Sequence, residues 1–144
     1  MHTLWDRATR RRAGRQMTET WRGNLTVEIC GVDYFSGYLS LQYTVTPVTE
    51  RLMVDSPVRG ARCGVAVDDD GGVLAECQCS YRVSTDRSRV AGIVMVGPGV
   101  PDASGRVRIL FAPLVRAEGL DCEMCEVDVE VVSGSAAVLA VRMH

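Results

Sequence analysis

The sequence contains no lysine, because all 16 of its Lys and Arg residues are arginines. This absence excludes Schiff-base chemistry, a lysine general base and the lysine of a P-loop. Histidine is almost as scarce, since His2 and His144 stand at the two ends of the sequence, where chains fray. A lone chain therefore has no base for Ser-His-Asp or Cys-His catalysis, and carboxylates are the candidate acid and base groups.

The sequence also lacks a long apolar run. No segment is long enough to cross a bilayer, and arginines occupy the N-terminal region where a signal peptide needs an apolar core. We therefore expect a soluble, intracellular protein. In such a compartment the six cysteines should be reduced and buried as small apolar side chains.

The charge is unevenly distributed along the 144 residues. Residues 1–22 hold six of the 16 arginines but only two of the 18 acidic residues, so the remainder of the chain is acidic. An acidic body is a poor general platform for nucleic acid, whose phosphates require clustered cations. We predict a basic arm or short helix over residues 1–20, which need not be ordered, and a single domain over residues 21–144.

The dominant pattern in the remainder of the chain is alternation with a period of two residues. Between Val73 and Val83 the odd positions are apolar or cysteine, whereas the even positions from Glu76 to Arg82 are polar. This is the pattern of a strand with one buried face, and no comparable stretch has a helical period. It predicts strands near residues 24–30, 36–46, 51–55, 62–68, 73–83, 90–96, 105–112, 122–132 and 136–143.

Turn residues separate these segments. Residues 68–72 read Asp-Asp-Asp-Gly-Gly between two alternating runs, which predicts a hairpin that pairs strand 62–68 with strand 73–83. Further turns are predicted at residues 31–37, 56–60, 97–105 and 133–135. The predicted fold class is all-β: a single antiparallel β-sandwich or barrel of about nine strands with a basic N-terminal arm.

Two clusters suggest chemistry but also have structural explanations. Cys77, Cys79, Cys122 and Cys125 have a spacing that could supply four thiolates to zinc, but these thiols lie within predicted strands and not on tight turns, which favours core packing. The acidic alternation at 126, 128 and 130 is best interpreted as a solvated strand face that discourages edge pairing. We therefore predict no metal site.

The arginine block of the arm is a candidate phosphate contact, because the guanidinium fork donates two hydrogen bonds to one anion. No aromatic residue is interleaved with the block, so stacking on bases is not supported. Non-specific contact with nucleic acid, a targeting signal and a functionally silent tail all remain open. The contact residues in the first case are Arg10, Arg11, Arg12 and Arg15.

Three short segments carry a family resemblance. Residues 31–38 read Gly-Val-Asp-Tyr-Phe-Ser-Gly-Tyr, residues 81–91 include Tyr-Arg-Val and Arg-Ser-Arg-Val-Ala, and residues 96–102 read Val-Gly-Pro-Gly-Val-Pro-Asp. In this order they resemble the first three motifs of the trimeric dUTP pyrophosphatase (dUTPase) family. The resemblance implies a β-barrel subunit that forms trimers and, in active members, cleaves a uracil nucleotide between its α and β phosphates with Mg²⁺.

The resemblance also implies roles for individual residues. Asp102 would be the catalytic carboxylate that orients the attacking water. The nucleotide-binding residues would be Asp33, Arg87, Ser88 and Gly99. Arg87 and Ser88 would hold phosphates, and Asp33 would lie behind the residues that touch the nucleotide.

The motifs also depart from the family pattern. The second motif lacks its proline and has Arg89 where the family has glycine, and the tyrosine that follows the third motif is missing. These departures imply a domain that kept the barrel and lost the enzyme. We therefore predict a non-catalytic domain that acts by protein binding or assembly, without a cofactor and as a homo-oligomer. The alternatives are a dUTPase-type nucleotide pyrophosphatase that uses Mg²⁺, and a capsid-like or nucleic-acid-associated structural protein that uses the arginine arm.

Overall fold

The computed structural model describes residues 18–21, 25–47, 56–102, 105–115 and 124–143. This part of the chain is all-β, as the alternation predicts, and it contains no helix long and apolar enough to cross a bilayer. Its nine strands are β1 (Thr18–Trp21), β2 (Leu25–Phe35), β3 (Tyr38–Pro47), β4 (Val58–Val67), β5 (Val73–Val83), β6 (Val90–Val96), β7 (Gly105–Phe111), β8 (Cys125–Val132) and β9 (Ser135–Met143).

The strands form one antiparallel sheet in the order β1-β2-β3-β6-β5-β4-β7-β8-β9. The last strand, β9, returns beside β1 and β2, so the sheet curls into a nearly closed barrel. Of the two architectures left open by the sequence, the structure adopts the barrel. Near-closure protects most strand edges from pairing with other chains.

The barrel interior is filled by alternate side chains of every long strand. Ile29, Leu41, Val94, Ile109 and Val127 are each fully buried. The predicted hairpin is confirmed, since β4 pairs with β5 across residues 68–72. Cys77, Cys79 and Tyr81 face the interior as predicted, but Val73 does not: it is 68% exposed because it lies beyond the last core layer.

Several predicted boundaries differ from those observed. The segment 31–37 was expected to be a turn, yet β2 continues to Phe35 and only Ser36 and Gly37 form the turn. A bulge between Ile29 and Gly31 changes which positions face inward, so the alternation is interrupted although the strand is not. Strand β1 falls partly within the segment assigned to the arm, and the predicted strand 51–55 lies outside the described residues.

Candidate functional site

The register of the strands brings one set of connections to the same end of the barrel. Leu39 of β3 and Cys77 of β5 both pair with Val96, the last residue of β6. The turns at residues 36–37, 68–72 and 133–134 and the segment 97–102 therefore share one end, which we call the loop end. The β5–β6 turn at residues 84–89 belongs to the opposite end, which we call the far end.

Segment 97–102 crosses the loop end and is held there by hydrogen bonds. The Tyr34 hydroxyl donates a hydrogen bond of 2.8 Å to the Val100 carbonyl oxygen, and the Val100 N–H donates one of 3.1 Å to the Gly37 carbonyl oxygen. The Val100 side chain is buried against the core. Gly99 has a φ of 122°, and a Cβ there would lie 2.6 Å from the Leu74 carbonyl oxygen, so only glycine fits.

Exposed apolar side chains collect at the same end. Among the described residues, the large hydrophobic side chains that remain exposed are Phe35 (53%), Val73 (68%), Val132 (43%) and Leu139 (39%), of which the first three belong to the loop end. The Phe35 and Tyr38 rings stack with their centroids 6.1 Å apart. The loop end therefore leaves apolar surface in water on three separate strands.

Exposed carboxylates lie at the same end of the barrel. Asp33, Asp69, Asp70 and Asp102 are all exposed at the loop end. Asp68 is used within its own turn, because its Oδ1 accepts hydrogen bonds from the backbone N–H groups of Asp70 (2.9 Å) and Gly72 (2.8 Å). We call residues 68–72 the acidic turn; it borders a cavity of about 270 Å³ that Arg106 also lines.

The structure divides the dUTPase-like residues between the two ends. Asp33, Gly99 and Asp102 lie at the loop end, whereas Arg87 and Ser88 lie in the β5–β6 turn at the far end. The length of β6 separates these ends by about 20 Å. One copy of the chain therefore does not bring the predicted catalytic carboxylate and the predicted phosphate contacts together.

The far-end turn is held by its own hydrogen bonds. The Ser88 hydroxyl donates to Asp86 Oδ1 at 2.7 Å, and the Ser84 hydroxyl donates to the same atom at 2.8 Å. These bonds to Ser88 and Ser84 lower the pKa of the exposed Asp86 carboxyl to about 2. Ser88 thus already has a structural partner within the turn.

A groove on the outer wall near the far end was not anticipated from the sequence. Two exposed arginines, Arg59 and Arg82, border it, and its volume is about 530 Å³. The alternation of β5 places Arg82 on the outer face, but nothing local indicates that Arg59, from a predicted turn, lies beside it. We call this the arginine groove; it is lined by Pro57, Val58, Arg59, Ser80, Tyr81, Arg82, Ala91, Gly92 and Ile93.

The acidic alternation of β8 is only in part the solvated face that the sequence predicts: Glu130 is exposed, whereas Glu126 and Asp128 are paired within the wall. Glu126 is largely buried and pairs with both Arg108 and Arg142. Arg142 also donates to Asp128 Oδ2 at 2.8 Å. Both bonds raise the pKa of Arg142, that to Glu126 contributing most. These charges are neutralised within the wall.

Of the cysteines in the described part of the chain, Cys63, Cys77, Cys79 and Cys125 belong to the core, whereas Cys30 is only partly buried. Cys77, Cys79 and Cys125 are fully buried, and burial raises the pKa of the Cys77 thiol to about 12. Among the described residues, no group of three or more His, Cys, Asp or Glu side chains could hold a metal ion. Cys122 and the predicted phosphate contacts Arg10, Arg11, Arg12 and Arg15 lie outside the described residues.

Comparison with known proteins gives no relative: no protein-family model matches the chain, and neither a curated protein nor a solved structure is significantly similar to it.

Proposed function

We propose that the protein is a non-catalytic binding module that assembles with other protein chains, including copies of itself, through its loop end. The observation that carries this proposal is the concentration of Phe35, Val73 and Val132 at one end of the barrel. Exposed apolar side chains gathered on one part of a protein surface often mark an interaction site.

The construction of the loop end also supports binding. Aromatic residues are enriched at protein interfaces, and the Phe35–Tyr38 pair provides such a contact. The surface is built from connections that a rigid barrel positions, an arrangement that many binding domains share.

The test is the oligomeric state of the full chain, measured by light scattering over a range of concentrations. We expect the wild type to associate and a Phe35→Ser, Val73→Ser, Val132→Ser variant to remain monomeric. Leu139→Ser is the matched control, because Leu139 is the exposed hydrophobic on the barrel wall away from the loop end. That variant should associate like the wild type.

Circular dichroism of each variant separates loss of association from loss of folding. A wild type that remains monomeric at high concentration would contradict the proposed self-assembly. Equal loss of association in the triple variant and in Leu139→Ser would show that the loop end has no special role.

A second candidate is a dUTPase-type pyrophosphatase. It is supported by the contact between the first and third motifs, since Tyr34 and Gly37 both hydrogen-bond Val100. Because Asp102 and Arg87 lie at opposite ends, such a site requires residues from more than one copy. Release of pyrophosphate from dUTP with Mg²⁺, abolished by Asp102→Ala, would support this function; full activity in that variant would remove Asp102 from it.

A further inference from the structure

We infer that the loop end of one copy docks on the arginine groove of a second copy, with the acidic turn as the leading element. This inference rests on the proposed function and names the partner surface of the loop end. The charges at the two ends of the barrel and the apolar residues beside them support it.

The acidic turn is shaped to present carboxylates. Asp68 Oδ1 accepts hydrogen bonds from the backbone N–H groups of Asp70 and Gly72, and these bonds stabilise the turn. Asp69 and Asp70 are consequently exposed at its tip. Val73 follows immediately and is 68% exposed, which puts an apolar side chain next to the two charges.

The arginine groove has the complementary character. Arg59 and Arg82 are exposed on its borders, and neither has an ion pair among the described residues. Pro57 and Ile93 add apolar lining, which suits the side chain of Val73. Arginine pairs well with carboxylates because its planar fork donates two parallel hydrogen bonds.

Several other charges of the barrel wall pair with each other. Arg108 and Arg142 pair with Glu126 and Asp128, and Arg62 pairs with Glu76 at 3.6 Å. The exposed carboxylates of the acidic turn and the arginines of the groove have opposite charge, although Arg106 also lies beside the turn. Opposite potentials steer association and fix the orientation of the partners.

The position of the two surfaces determines the kind of assembly. They lie towards opposite ends of the barrel, so a contact between them joins different patches of the two copies. A single contact of this kind is head-to-tail, so its repetition forms open chains or closed rings.

The experiment uses two full-length neutralised variants. Arg59→Gln with Arg82→Gln removes the groove charges, and Asp69→Asn with Asp70→Asn removes those of the turn. We expect each variant alone to be a monomer, with self-association weakened by at least about tenfold. Mixed together they should form a one-to-one complex, because one intact turn meets one intact groove and the chain cannot extend.

The control variant is Arg62→Gln with Glu76→Gln, which removes two exposed charges that already pair with each other. It should assemble like the wild type. The wild-type assembly should also weaken between low and high salt, because the contacts are exposed ion pairs.

Three results would overturn the inference. If the groove variant assembles as well as the wild type while the Phe35, Val73, Val132 triple variant is monomeric, the loop end binds elsewhere and the proposed function stands. If neutralising Arg10, Arg11, Arg12 and Arg15 abolishes assembly but the groove variant does not, the arm is the partner. If the wild type is monomeric, both the inference and the proposed self-assembly fail.

Discussion

At the residue scale, one inward-facing glycine shows how tightly the barrel interior is filled. Tyr43 of β3 pairs with Gly92 of β6, and the phenol ring lies over the glycine. The Tyr43 hydroxyl donates a buried hydrogen bond of 2.7 Å to the Pro113 carbonyl oxygen, while its ring packs against Phe111 at 5.5 Å. Gly92 therefore provides the space that a large core side chain occupies.

Gly92→Ala should destabilise the protein by about 1–3 kcal/mol, because overpacking a filled core forces neighbouring side chains to move. An added Cβ would lie 2.6 Å from Tyr43 Cζ. Urea unfolding followed by circular dichroism measures the change. The control is Ala91→Ser on the exposed face of the same strand, which should change stability by less than about 0.5 kcal/mol; equal values for both variants would refute the packing argument.

At the element scale, the β5–β6 turn is a self-contained structure. The Ser84 N–H donates to the Arg89 carbonyl oxygen at 2.8 Å, and Arg87 adopts a φ of 60°. Asp86 accepts hydrogen bonds from both serine hydroxyls and from the Ser88 N–H. The carboxylate thus organises a turn that carries Arg87 and Arg89.

The Asp86 carboxyl should titrate near pH 2, because its hydrogen bonds favour the charged form. Its stabilising effect on the turn is complete above the ordinary pKa of 3.8 and is lost as the pH falls through about 2. Carboxyl-carbon NMR shifts against pH measure this midpoint. A Ser84→Ala, Ser88→Ala variant should raise it towards 3.8; an unchanged midpoint in that variant would show that the serines are not the cause.

Some of these elements could be predicted from the sequence and others could not. The hairpin around the acidic turn follows from local signals, because Asp-Gly and Gly-Gly suit a tight turn between alternating runs. The sequence predicts too short a strand β2, because the Gly, Asp and Ser residues of segment 31–37 suggest a turn where the strand in fact continues past a bulge. The arginine groove could not be foreseen at all, since it requires β4, β5 and β6 to be neighbours.

At the scale of the whole molecule, the sequence could reveal an all-β fold, either a sandwich or a barrel, but not which residues lie at each end of it. Alternation identifies which side chains face inward, and it does so without knowledge of strand order. The separation of Asp102 from Arg87 follows only from the register between β5 and β6 and from the path of segment 97–102. Those pairings are long-range, so no local pattern encodes them.

Buried thiols should make the whole molecule sensitive to alkali. Burial raises the pKa of Cys77 from 9.0 to about 12 and that of Cys30 to about 11. Above pH 9 the unfolded chain loses these protons while the native state keeps them, so the free energy of unfolding should fall by about 1.4 kcal/mol per pH unit for each such thiol.

Urea unfolding at pH 7, 9, 10 and 11 measures this slope. Cys77→Ala removes one of the thiols, so its stability should depend less steeply on pH between 9 and 11 than that of the wild type. A free energy of unfolding that stays constant from pH 8 to pH 11 would contradict the burial of these groups.

The fastening of segment 97–102 has a consequence for the energetics of any complex made by the loop end. Hydrogen bonds from Tyr34, Val100 and Gly97 already hold this segment to the barrel before a partner arrives. Little chain entropy is then lost on docking, so the encounter resembles that of two rigid bodies. Tyr34→Phe removes the hydrogen bond from the Tyr34 hydroxyl to the Val100 carbonyl oxygen. It should therefore slow productive docking, although it changes none of the proposed contact residues.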